Sequence, residues 1–381
     1  GSHIYEIVDR SVDLGLYAVA ITDTNNLCGV IEFYKYCQHK SIKPIIGSEL
    51  IIDDRFPVTI LVKNHVGYKN LCRLISDSYL SSGEHNKLCL NEKALLLNTS
   101  GLICLSGDRN SRAVKLLEDN RLKELEELFQ NYEKHFGAGN FFIELQQNLV
   151  SGDTFRNKKL SSIGESLGIP IVATGDVHYH SRERSRLHDI LVAIKNNTNL
   201  NKAGHLRFSN DQFFLRSPVQ MQKLFNFDKS AVENSLVISD QCNFDIFHKS
   251  GYQFPKFNTG DKKETPRGFL KRICNEKLTS KYPEVTDEIR ERLERELDLF
   301  ERHDLIGFIL RYYEIIRIAK RIMLELNLIN GIDDLVSPGR GRGSSVSSLV
   351  GYLIGLSHID PIKFNLKLER FIREDMDRMP D

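Results

Sequence analysis

From Pro338 to Ser345 the chain reads Pro-Gly-Arg-Gly-Arg-Gly-Ser-Ser, and it turns apolar at once from Val346 to Leu356. Three glycines interleaved with Arg340 and Arg342 make a pliant, positively charged loop. A glycine-rich turn that opens a helix offers backbone N–H groups to an anion at the positive end of the helix dipole. The arginines would add forked donors matched to phosphate. Val346, Leu349, Val350, Leu353 and Ile354 recur at helical spacing, and Ser344 or Ser345 stands where a helix N-cap belongs. This chemistry suits a nucleoside triphosphate. A surface loop before an ordinary capped helix has the same pattern, because glycine-rich turns precede many helices.

Two further groups of residues carry chemistry. Asp176-Val177-His178 follow a short apolar run, with a spacing seen in metal-ligand pairs. A capping aspartate beside a hydrogen-bonded histidine has that spacing too. Arg311, Arg317, Lys320 and Arg321 alternate with Ile315, Ile318 and Ile322 between Ile306 and Leu326. That stretch reads as a basic amphipathic helix, suited either to a nucleic-acid backbone or to plain solvent exposure.

The intervening sequence supplies a frame for these groups. Ala18–Ile21, Pro44–Glu49, Val58–Val62, Gly101–Gly107, Phe141–Leu145 and Ile171–Thr174 are short apolar runs of the buried-strand type. Helical patterns separate most of them: residues 4–14, Val30–Lys40, Gly67–Tyr79, Ser111–Phe136 and Asn157–Leu167. Such alternation predicts a β/α barrel or a doubly wound α/β domain. Asp23, Glu49, Asp108, Gln146, Asp176 and His178 stand at strand ends, which in a barrel converge on one face. Leu187–Lys195 and two later amphipathic segments continue the domain. Residues 251–267 lack apolar periodicity and read as a linker between a domain at 1–250 and a helical one at 268–381. Asp287–His303 is rich in Glu and Arg and reads as an exposed helix with i,i+4 pairs.

Composition narrows the class. The 381 residues are 41% hydrophobic and 27% charged with a formal net charge of +1, so any nucleic-acid surface must be local. The 7 cysteines are scattered with no C-x-x-C pair, which speaks against a disulfide framework or zinc ribbon and for a reducing, cytoplasmic setting. No run reaches the ~18 apolar residues of a membrane span, and no signal peptide is visible. The chain opens Gly1-Ser2-His3, without a methionine, which implies a cut N-terminus.

Gly341-Arg342-Gly343-Ser344, then Ile359-Asp360-Pro361, Leu368-Glu369-Arg370-Phe371 and Met379-Pro380-Asp381 resemble the opening of the palm in bacterial C-family DNA polymerases, the replicative alpha subunits and their error-prone relatives. Ala20–Asp23, Glu32–Tyr34, Ile42–Glu49, Tyr68–Ile75, Ala173–Tyr179, Leu187–Leu191 and Glu233–Leu236 resemble that family's N-terminal PHP (polymerase and histidinol phosphatase) domain. The resemblance implies a PHP-type distorted (β/α)7 barrel, then a mostly helical segment and the beginning of a nucleotidyltransferase-like palm. It implies a DNA-directed DNA polymerase working on primer-template DNA and deoxynucleoside triphosphates with Mg²⁺. It further implies a sliding clamp and other replisome subunits as partners, a proofreading 3′–5′ exonuclease at the PHP domain, and no membrane. Gly341, Arg342, Gly343, Ser344 and Ser345 would hold the triphosphate, with Arg340 and Arg370 as further candidates. Arg370 has Glu369 and Asp360 as alternative partners. Arg311, Arg317, Lys320 and Arg321 would follow the DNA backbone. The catalytic D-x-D of the family lies beyond Asp381, so no catalytic carboxylate is expected in this chain, which on its own is expected to be inactive.

The departures from the family pattern concern metal. Thr24 stands where the family's T-D-H has histidine, and Asn148 where many relatives have the histidine of L-Q-x-H. Glu49, Asp176 and His178 remain as ligands. The expectation is a degenerate site, with zinc or manganese there as the alternative. A PHP-type phosphoesterase or exonuclease, or a non-catalytic scaffold, are the competing functions.

Overall fold

The computed structural model describes residues 1–81, 90–247, 256–260, 263–331 and 343–375. The chain divides into two compact units, Gly1–His248 and Lys249–Asp381.

In the first unit the six apolar runs form one mixed sheet that curls into a half-barrel. Its strands are β1 (Ala18–Ile21), β2 (Lys43–Ile52), β3 (Phe56–Val62), β4 (Leu102–Leu105), β5 (Phe141–Gln146) and β6 (Ile171–Thr174), hydrogen-bonded in chain order. β1–β2, β4–β5 and β5–β6 are parallel; β3 runs antiparallel to both neighbours. The reason is local. Only three residues link β2 to β3, too few for a crossover, and Asp53 and Asp54 take left-handed φ values of 50° and 58° to turn the hairpin. Helix α1 (Ile4–Asp13) precedes β1, and the remaining linkers hold α2 (Val30–His39), α3 (His65–Ser81), α4 (Glu92–Leu96), α5 (Arg112–Glu118), α6 (Leu122–Phe136) and α7 (Asp153–Leu167). After β6 come α8 (Ser185–Lys195), α9 (Pro218–Leu224) and α10 (Lys229–Gln241). The single helix expected over Ser111–Phe136 is two. Asn120 breaks it at φ 54°, and the Arg121 amide returns to the Leu116 carbonyl.

The strands alternate between two apolar layers, as a period of two demands. Ile46, Leu50, Ile60, Leu102, Cys104, Ile143 and Leu145 pack under the helices. Ile45, Leu61, Ile103, Phe142 and Val172 pack on the other face against Ile238 and Cys242 of α10 and just after it. That second face matters for chemistry, because Glu49, Glu144, Gln146 and Thr174 continue the rows begun by Ile45, Phe142 and Val172.

The second unit is helical: α11 (Pro266–Lys281), α12 (Asp287–Arg302), α13 (Ile306–Glu325) and the short α14 (Leu349–Leu353) enclose Leu270, Ile273, Leu293, Leu297, Phe300, Leu310, Leu349 and Val350. Thr265 and Thr286 cap α11 and α12 through their hydroxyls. Arg267 at the start of α11 pairs with Asp298 and Glu301 of α12. α12 is solvated on that side but buries Leu293, Leu297 and Phe300 on the other. α13 departs from expectation. Its buried residues are Ile306, Ile309, Leu310 and Ile316, whereas Ile315, Ile318 and Ile322 are half-exposed on the surface that carries the basic residues.

Candidate functional site

The glycine-arginine loop enters the described residues at Gly343, whose φ of 73° is left-handed and suits glycine. Ser344–Ser347 form one 3₁₀ turn, and Ser348 then takes an extended conformation. The N-cap of α14 is therefore Ser348, not Ser344 or Ser345: its hydroxyl accepts from the Gly351 amide at 3.0 Å. The first amides of α14 do not face an anion from outside. Glu296 of α12, fully buried, accepts from the Leu349 amide at 2.8 Å and the Val350 amide at 3.0 Å, and from the Ser348 hydroxyl at 2.8 Å. A protein carboxylate thus fills the anion position that the sequence assigns to phosphate. What remains accessible is the turn upstream, where Gly343 is exposed and Ser344 and Ser345 are half-buried. Arg340, Gly341 and Arg342 lie outside the described residues, as does Asp381.

Arg370 closes a second turn, Leu368–Arg370. Its two proposed partners are engaged elsewhere. Glu369 pairs with Arg295 at 2.9 Å. Asp360 accepts from the Tyr282 hydroxyl at 2.7 Å and from the Ile362 and Lys363 amides. Among the described residues Arg370 makes no ion pair, and it is exposed. On α13, Arg311 is tied to Glu314 at 2.8 Å and to the Lys256 carbonyl. Arg317 lies over the Tyr313 ring, and both Arg317 and Arg321 are exposed. Lys320 is half-buried on the same helix.

The first unit gathers its polar groups on one end of the sheet. Thr24 extends β1 by a single bridge to Glu49, and its hydroxyl donates to Glu49 Oε1 at 2.9 Å. Burial pushes the Glu49 carboxyl up; Thr24 pulls it back, and the charges of Asp108 and Asp176 raise it further. Asp108 is raised for the same first reason, burial, with Asp176 adding to it and the Asn110 amide opposing. Asp176 has a strained φ of 45°, and its Oδ1 lies 3.1 Å from His178 Nε2. Asp176 thus acts on both Glu49 and Asp108, two of the strand-end carboxylates.

Asn148 is a structural pin rather than a ligand. Its side-chain amide donates to the Gly175 and Gln212 carbonyls, and its oxygen accepts from Arg109 at 3.1 Å. Among the described residues, no three His, Cys, Asp or Glu side chains are grouped so that they could hold a metal ion. Thr24 and Asn148, which by the family resemblance stand where histidines are expected, offer a hydroxyl and an amide engaged by protein instead, and such a donor set does not fit a multinuclear metal centre.

Two functional groups escaped the sequence reading. Glu144 sits buried inside the sheet, its Oε1 within 2.5 Å of the Thr174 hydroxyl and 3.1 Å of Gln146 Nε2, while Oε2 has no hydrogen-bond partner among the described residues. Burial pushes its carboxyl up to about 7. Only its position two residues after Phe142, on the inner row of β5, marked it. The other is Glu296, lost among the charges of an apparently solvated helix.

The matches to known proteins follow this division. The PHP domain model matches residues 2–148, and the model of the bacterial DNA polymerase III alpha NTPase domain matches residues 268–381. The chain thus joins a PHP domain to a segment characteristic of bacterial replicative polymerases. It is 32% identical over 394 residues to the DNA polymerase III subunit alpha of Treponema pallidum, covering 100% of this chain and 32% of that protein. It is 33% identical over 392 residues to the same subunit of Buchnera aphidicola (subsp. Acyrthosiphon pisum), covering 99% and 32%. The error-prone DNA polymerase of Symbiobacterium thermophilum is 29% identical over 395 residues, covering 100% and 35%. From end to end the chain matches bacterial DNA polymerase III alpha subunits and error-prone DNA polymerases, and it spans about a third of the length of these relatives. Among the described residues no helix is long and apolar enough to cross a membrane.

Proposed function

We propose that the protein is a template-directed DNA polymerase of bacterial DNA replication, and that this chain carries its PHP domain (1–250), a linker (251–267) and the start of its palm (268–381). One observation carries the reading: the chain matches such polymerases from end to end, with the two domain types in the same order. In this reading deoxynucleotides are added to a primer with release of pyrophosphate. Paired carboxylates hold two Mg²⁺ ions for that chemistry, and by the family pattern they follow Asp381. The part of the site in this chain is the nucleotide side. Gly341, Arg342, Gly343, Ser344 and Ser345 grip the triphosphate, with Arg340 beside them. Arg370, exposed and with no ion pair among the described residues, is a second phosphate donor on the same unit. Arg317 and Arg321 project from α13 toward solvent, and with Arg311 and Lys320 they run along the DNA backbone. A cytoplasmic setting, a sliding clamp and other replisome subunits go with this assignment.

The barrel takes a second role in the same protein. The Thr24–Glu49 and Asn148–Arg109 contacts favour a support that docks partners, such as a proofreading exonuclease, over a zinc- or manganese-dependent phosphoesterase. The test of the main reading is primer extension by the full-length protein on a primed template with Mg²⁺ and deoxynucleoside triphosphates. Template-directed extension is expected; its absence in folded protein refutes the proposal.

A further inference from the structure

We infer that Glu296 and Arg292 are positioning residues for the phosphate-binding turn, an inference that rests on the reading of that turn given above. Both lie on α12, one helical turn apart, and both are directed at the peptide joining Ser347 to Ser348. Arg292 Nη2 donates to the Ser347 carbonyl at 2.9 Å and to the Leu366 carbonyl at 3.4 Å, and its Nε donates to Glu296 Oε1 at 2.9 Å. Glu296 in turn receives the Ser348 hydroxyl and the Leu349 and Val350 amides. The guanidinium grips the carbonyl before this junction, and the carboxylate takes the Ser348 hydroxyl and the two amides that follow it.

The turn Ser344–Ser347 ends at this grip and begins at Gly343, the residue free to take φ 73°. Neither side chain reaches a ligand there. They fix the point from which the turn hangs, and through Leu366 they tie it to the segment leading to Arg370. Four donors converge on the two oxygens of Glu296, which a carboxylate can accept together. A buried ion pair is often no more stabilising than apolar packing of the same volume, yet it can dictate one arrangement among several. In this unit the arrangement dictated is that of a loop whose geometry must match a triphosphate.

The test is Glu296→Gln in the full-length protein, measured by steady-state nucleotide incorporation and by amide hydrogen exchange. Glutamine keeps the shape but turns one acceptor into a donor, so one of the two amides loses its partner. The expected result is a KM for deoxynucleotide raised about tenfold, a smaller change in kcat, and faster exchange at Leu349 or Val350. Arg272→Gln, which removes exposed pairs with Glu264 and Glu276 and the contact of Arg272 with the Phe269 ring, leaves KM where it was. Faster exchange with an unchanged KM overturns the inference, because the pair would then merely hold the core. Should Glu296→Gln fail to fold, Ser348→Ala removes one contact of the same grip, and an unchanged KM there overturns the inference equally. A wild-type protein that incorporates no nucleotide overturns the reading of the turn itself, and this inference with it.

Discussion

Replacing Glu144 by glutamine should make the first unit more stable as pH rises. The carboxyl is buried and Oε2 has no hydrogen-bond partner among the described residues, so burial favours its neutral form and lifts it from the ordinary 4.5 to about 7. Because the folded-state value is raised, the contribution is intact below about 4.5, where both states are protonated. Between about 4.5 and about 7 the unfolded chain ionises while the folded one holds its proton, and stability falls with pH. Above about 7 the loss is complete, at about 3 kcal/mol for a change of this size. Glutamine is neutral throughout and keeps the oxygen that faces Thr174. Any packing difference between the two side chains is independent of pH. The stability of Glu144→Gln relative to the parent should therefore grow by about 2–3 kcal/mol from pH 5 to pH 8. The protein has no tryptophan, but Cys104, a free and fully buried thiol on β4, reports on this unit. Pulse labelling of Cys104 across a urea series at each pH, read by peptide mass spectrometry, gives the two stabilities. A difference between variant and parent that stays constant from pH 5 to pH 8 refutes the reasoning.

Three further outcomes are expected. A Cβ at Gly67 would meet the Gly101 carbonyl oxygen at 1.9 Å, so Gly67→Ala should cost about 2 kcal/mol or more, seen as a lower urea midpoint without a change in slope. Ser348→Ala removes both the cap of α14 and a donor to Glu296; a loss of about 1–2 kcal/mol is expected, and a neutral result would mean the cap is dispensable. The protein equilibrated with zinc or manganese and then dialysed should hold less than one ion in the PHP site by elemental analysis, and two or three bound ions would restore the phosphoesterase reading.

The strands were legible because each is a short, mostly apolar run, with β4 and β5 buried throughout, and the strand-end rule picked out Glu49, Asp108 and Asp176. The direction of β3 was not stated by that pattern; it follows from the two aspartates of the hairpin. The break at Asn120 hid in a sequence of good helix formers, because one left-handed residue leaves no periodic trace. The cap of α14 was misplaced for a related reason. Ser344, Ser345, Ser347 and Ser348 all have capping chemistry, and what selects Ser348 is a carboxylate 52 residues away in sequence. Ile315, Ile318 and Ile322 have the spacing of a buried stripe, yet α13 packs through Ile309, Leu310 and Ile316 instead. Helical periodicity identifies a face but not the neighbour that covers it.

The central claim is that the turn entering Gly343 holds a triphosphate through its arginine. Counting back from Ser348-Leu349-Val350 sets Arg342 in the gripping place, with Arg340 two residues outside it. Steady-state incorporation by the full-length protein should show Arg342→Ala raising the KM for deoxynucleotide about tenfold or more, and Arg340→Ala raising it less. Equal KM values for parent and Arg342→Ala, or a larger effect at Arg340, would contradict it.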